Sequence, residues 1–111
     1  MNSPWGEVQH SREVSDGVIL VSTAGHGGFM VSKEAMGKLH PALKFVAIYG
    51  GKFEGQTCFE EDCEAVAVVY ELQEKGIDLG SIGFKPVTKQ DVISYLGRGD
   101  TYQSYIKARG L

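Results

Sequence analysis

VILVSTAGHGGFMVS, residues 18–32, is the stretch whose reading decides the fold. Two apolar arms, Val18–Val21 and Phe29–Val31, flank a polar, glycine-rich centre, Ser22-Thr23-Ala24-Gly25-His26-Gly27-Gly28. The arms are β-branched or aromatic and too short for helices, so they read as strands. The centre reads as a hairpin loop, because its glycines permit positive φ or close backbone approach. A histidine among those glycines makes this the most site-like spot in the chain.

Outward from this hairpin, Trp5–Val14 reads as extended, and Ser15-Asp16-Gly17 as a turn. Residues 5–32 therefore read as a three-stranded antiparallel meander. Val18–Val21 is its expected central strand, apolar on both faces. Ser32 is placed to cap a short helix, Lys33–Leu39, which His40-Pro41 ends. Phe45–Tyr49 is an apolar run that periodicity leaves open between strand and buried helical turn, and Gly50-Gly51 and Gly55 bracket a loop. Thr57-Cys58-Phe59-Glu60 matches a capping box, so a helix is expected over Thr57–Lys75. Phe59, Cys63, Val66 and Tyr70 would form its inward stripe, with Glu61, Glu64 and Glu71 outward. Ile77–Phe84 reads as a loop or edge strand. Thr88 with Asp91 opens a further helix, and Asp100 or Thr101 caps a last one with Tyr102, Tyr105 and Ile106 inward. The expected fold is α+β, one domain over residues 1–111. Its antiparallel sheet has three strands, or four, with helices packed on one face.

The 111 residues are 42% hydrophobic and 23% charged, which excludes disordered and fibrous classes. At 12.1 kDa the chain can bury roughly two-thirds of its unfolded surface, enough for one core without metal or disulfide. The net charge is −3, but residues 53–84 alone carry eight acids against one lysine. No basic stripe is present, which argues against direct nucleic-acid binding. The longest apolar run, Ala65–Tyr70, is too short to span a bilayer. No apolar stretch follows Met1, so a cytoplasmic protein with reduced thiols is expected.

The glycine loop sits between strands, whereas phosphate-binding glycine loops join a strand to a helix. A dinucleotide or Walker reading is therefore poor. What remains is a wide hairpin turn, a loop that binds through backbone N–H groups, or a catalytic histidine at His26. Cys58 and Cys63 are five apart, about 140° around a helix, so they do not face one zinc ion. His10, His26 and His40 lack chelating spacing. The carboxylates near Cys63 would raise a thiol pKa, against a thiol nucleophile. No metal, cofactor or catalytic residue is assigned. The candidate binding residues are Ser22, Thr23, His26, Gly27 and Gly28 in the loop, and Glu60, Glu61, Glu64 and Glu71 on the acidic helix. Arg98-Gly99-Asp100 reads as a turn before a helix cap.

Trp5-Gly6, Ser22-Thr23, His26-Gly27-Gly28, Ser32 and Glu60-Glu61-Asp62-Cys63 together form a pattern. With it, residues 5–70 resemble a small uncharacterised domain family found in phage and other bacterial mobile-element proteins. Ala65 stands where that pattern has an aromatic residue. The resemblance implies genomic company, since small accessory proteins of phages bind and disable host defence machinery. The leading expectation is a non-enzymatic accessory protein in a bacterial host cell. It would bind a host protein with a basic surface, such as a defence nuclease of the CRISPR effector kind. The alternative is a small enzyme or ligand-binding domain built on the His26 loop and the acidic helix start. A third is an oligomerising structural protein, a homo-oligomer.

Overall fold

A computed structural model describes residues 1–48 and 51–111. It shows an α+β fold with two antiparallel sheets and four α-helices among the described residues. Strands β1 (Asn2–Ser3) and β2 (Gly6–Glu7) form a small hairpin. The main sheet has five strands: β3 (His10–Ser15), β4 (Val18–Ser22), β5 (Gly27–Val31), β6 (Lys52–Phe53) and β7 (Gln56–Glu60). Their spatial order is β3-β4-β5-β7-β6, antiparallel throughout. The meander predicted over residues 5–32 is present as β3-β4-β5, but the Trp5 segment belongs to the small hairpin instead.

The central strand is β5, not β4. All five β5 residues are buried, whereas Ile19 and Leu20 of β4 are only half-buried. Alternate β5 side chains feed two separate cores. Phe29 and Val31 join Val18 and Phe59 against the helices. Met30 points the other way, with Val21 and Cys58, under a cover of Trp5, Val8, Ile19 and Phe53. The helices thus pack on one face, and the N-terminal segment helps close the other.

A strand buried on both faces needs pairing partners on both sides, and β7 supplies the second. Its register is Phe29↔Phe59, Met30↔Cys58 and Val31↔Thr57. Cys58 and Phe59 are both fully buried, on opposite faces, which only a strand permits. The helix predicted from Thr57 therefore begins eight residues later. Thr57-Cys58-Phe59-Glu60 is extended, a turn covers Glu61–Glu64, and α2 runs Ala65–Glu74. Long-range pairing overrides the local capping pattern here.

The remaining elements follow local chemistry closely. Ser32 caps α1 (Lys33–Lys38), its hydroxyl accepting the Ala35 N–H at 3.1 Å. Gly17 makes the β3–β4 turn with φ +78°, and a Cβ there would lie 2.3 Å from that same Ser32 hydroxyl. Pro41–Phe45 is a 3-10 helix capped by the His40 ring, whose Nδ1 accepts the Ala42 N–H at 3.0 Å, and residues 46–48 continue it as a turn, so the described part of the Phe45–Tyr49 run takes the helical-turn alternative. Tyr49 and Gly50 lie outside the described residues. Thr88 and Asp91 form the expected capping box of α3 (Lys89–Leu96), with bonds of 3.1 and 2.9 Å. The Gln73 amide grips the Val87 backbone at 2.7 and 2.8 Å, tying the segment before α3 to α2. Ile77–Phe84 is a loop with one 3-10 turn, Gly80–Ile82. The last helix, α4, spans Gln103–Arg109 with Tyr102 rather than Asp100 or Thr101 at its N-cap position. Tyr102, Tyr105 and Ile106 are buried as expected.

Candidate functional site

The β4–β5 loop and the β7–α2 turn meet at one end of the main sheet. The Glu61 N–H donates to the Gly27 carbonyl at 3.0 Å, extending the β5–β7 pairing into the turn. The structure thereby brings together two groups far apart in sequence: the His26 loop and the Glu60-Glu61-Asp62 run. Thr23 closes the loop from within. Its hydroxyl donates to the His26 carbonyl at 2.7 Å and accepts the His26 N–H at 3.1 Å. His26 itself is exposed at the loop tip.

The two glycines owe their place to packing. A Cβ on Gly28 would lie 2.1 Å from the Phe59 carbonyl oxygen and 2.8 Å from the Trp5 ring. Gly27 is buried, and its Cβ would lie 2.5 Å from the Val21 carbonyl oxygen. Ser22 is half-buried at the end of β4. With His10, Arg12, Leu20 and Glu61 it lines a shallow groove of 270 Å³.

The acidic residues divide into two kinds. Glu61 and Asp62 are exposed on the turn, and Glu60 is half-buried beside them. Burial, then the charges of Glu64 and Asp62, hold the Glu60 carboxyl above the usual carboxylate range, while nearby His26 acts in the opposite sense. Glu64 and Glu71 are not exposed, contrary to the outward face predicted for them. Glu64 is 0% and Glu71 2% exposed. The Glu64 carboxylate accepts the Glu60 N–H and the Tyr102 hydroxyl, each at 3.2 Å. Glu71 accepts the Tyr105 hydroxyl at 2.6 Å and the Arg109 Nε–H at 2.7 Å. Both carboxylates bind the C-terminal segment to α2, so of the four acidic candidates only Glu60 and Glu61 remain toward solvent, on the turn they share with Asp62. Tyr102 and Tyr105 are inward as expected, but that they and Arg109 face Glu64 and Glu71 is visible only in the structure. No local pattern marks these pairs, whose members lie 34 or 38 residues apart in sequence.

Neither thiol is primed for nucleophilic work. Cys58 is fully buried, and burial pushes its thiol up to about 11. Cys63 lies on the turn rather than in the helix expected of it; it and Val66, which is in α2, are half-buried and pack against the main core. Burial first, then Glu60, Asp62 and Glu64, raise the Cys63 thiol above its ordinary value. Among the described residues no group of three His, Cys, Asp or Glu side chains is placed to hold a metal ion. Among the described residues no helix is long and apolar enough to cross a membrane.

A family model described as a domain of unknown function, DUF7007, matches residues 1–89. The chain belongs to the DUF7007 family. The match takes in both sheets, α1, α2 and the acidic turn, and it reaches further than the residues 5–70 over which the sequence pattern was traced. Tyr102, Tyr105 and Arg109, which hold the buried carboxylates, lie beyond the DUF7007 span. No curated protein and no solved structure matches the chain.

Proposed function

We propose that the domain is a non-enzymatic binding module that engages a basic surface of another protein through the Glu60–Asp62 turn. One observation carries this reading. Glu61 and Asp62 are exposed on a turn whose backbone is fixed to Gly27, so two negative charges are presented at a defined end of the sheet. Charges held on a rigid element steer a basic partner into register before contact. The His26 loop lies alongside and supplies a second contact region. The nucleic-acid groove of a defence nuclease is the class of basic surface favoured, following the resemblance to phage and mobile-element proteins. Occupying such a groove blocks nucleic acid by competition, with no chemistry required.

The test is affinity capture from a bacterial host lysate, with the wild-type chain and the Glu61→Lys/Asp62→Lys variant as parallel baits. Both substitutions fall on exposed positions, so circular dichroism should show an unchanged fold. A protein retained by the wild type and lost by the variant supports the turn as the interface. Equal retention by both baits overturns it.

A further inference from the structure

The acidic turn forms one rim of an apolar groove between α2 and α3. The groove encloses 410 Å³, its floor made by Val66 and Val69 and its far wall by Val87 and Tyr95, with Glu61 and Asp62 at the rim. Tyr95 is 56% exposed, a large side chain left open to water beside this floor. Asp91 adds a third carboxylate along the α3 wall, against one lysine, Lys85. A second cavity, lined by Cys63, Ser94 and Arg98, shares Asp62 and Tyr95 with the groove, so the acidic rim lies at the Glu61–Asp62 end and Arg98 is the cation on the far side of Tyr95.

From this juxtaposition of apolar floor and acidic rim we propose that the groove docks a segment of a partner protein carrying a large apolar side chain beside a lysine or arginine. The apolar side chain fills the cleft over Val66 and Val69, and the cation meets Glu61 and Asp62. The floor explains why the occupant must be apolar, since a polar segment would lose hydration there without gaining partners. The rim explains why it must be basic, because an acidic segment would face like charges. This inference rests on the acidic turn as the interface and adds to it the chemical class of what binds and the place where it is anchored.

Cys63 provides a built-in reporter. It is half-buried at the groove's end, whereas Cys58 is fully buried and shielded from reagent. The experiment is selection of displayed random peptides on the intact chain, followed by iodoacetamide labelling of Cys63 with and without a synthetic peptide of the selected sequence. Selected sequences should pair Phe, Leu, Ile or Trp with a neighbouring Lys or Arg. The peptide should slow Cys63 labelling, and Tyr95→Ala and Glu61→Lys/Asp62→Lys should each weaken its binding about tenfold or more. If selected basic peptides bind in a manner that needs Glu61 and Asp62, but ignore Tyr95→Ala and leave Cys63 labelling unchanged, the groove is overturned and the acidic turn stands. If no peptide is enriched, or the enriched ones are acidic and indifferent to the charge reversal, both fall.

Discussion

Glu71 shows how single residues set the terms of this fold. Its carboxylate is almost wholly buried and accepts two bonds, from Tyr105 at 2.6 Å and Arg109 at 2.7 Å. Arg109 also lies over the Tyr70 ring at 5.7 Å. Burial is the largest single influence and lowers the Arg109 pKa, but the bond and charge of Glu71, with Tyr105 and Tyr70 beside it, together outweigh it, so the guanidinium is held more firmly charged. Removing the cation leaves a buried carboxylate short of charge compensation. Arg109→Met should therefore cost about 2–4 kcal/mol in urea unfolding, and Tyr105→Phe about 1–3 kcal/mol. A cost near zero for both would mean that the cluster is not formed in solution. The pH dependence follows from Cys58 and Tyr105. Burial raises both, Cys58 from 9.0 to about 11, so folding favours their neutral forms. For an acid raised in this way, the stability contributed is complete below its ordinary value. That stability drains as pH rises toward the folded value, because the unfolded chain ionises first. Unfolding free energy should fall between about pH 8.5 and pH 11, by about 2–3 kcal/mol from Cys58 alone. Cys58→Ala should flatten that slope in denaturant titrations at matched pH.

At the scale of elements, the two caps make opposite predictions. Thr88 caps α3, so Thr88→Ala should cost about 1 kcal/mol and loosen the α3 amides in hydrogen exchange. Thr57 opposes Val31 within β7, so Thr57→Ala should leave helical ellipticity unchanged, where a true helix cap would not. Gly28→Ala forces a Cβ against the Phe59 carbonyl and the Trp5 ring, and should destabilise by about 1–3 kcal/mol by melting temperature. What was legible in the sequence divides along the same line. Ser32 and Thr88 were readable because a cap is a local bargain between a side chain and an N–H three residues on. The β4–β5 hairpin was readable because strand, loop and strand are contiguous. β7 was not, because Cys58 finds its place only opposite Met30, 28 residues earlier, while its own neighbours imitate a helix start. Glu64 and Glu71 were misplaced for a related reason. A carboxylate on a helix is ordinarily solvated, and the hydroxyls and guanidinium that make burial tolerable lie in the last ten residues. The candidate site was legible as two separate runs; that they share one end of the sheet follows only from the β5–β7 register.

For the whole molecule, the family match and the core have different extents. The DUF7007 span ends at Lys89, yet Val92, Leu96 and Tyr105 beyond it are each no more than 1% exposed in the main core. A chain truncated after residue 89 should lose the core partners of α2 along with the bonds to Glu71, and should fail to give a cooperative melting transition. The distribution of charge also changes meaning in three dimensions. Of the eight acids in residues 53–84, two are buried for stability, and Glu61 and Asp62 stand exposed at the sheet end. Opposite charge raises the rate of encounter more than the strength of the final contact, and salt screens it over roughly 8–10 Å. The decisive measurement is therefore the association rate constant with the captured partner, for wild type and for Glu61→Lys/Asp62→Lys, across a salt series. If the turn is the interface, the wild-type rate falls steeply with salt, and the variant associates about tenfold or more slowly at low salt with little salt dependence. Equal rates for the two proteins at every salt concentration would contradict it.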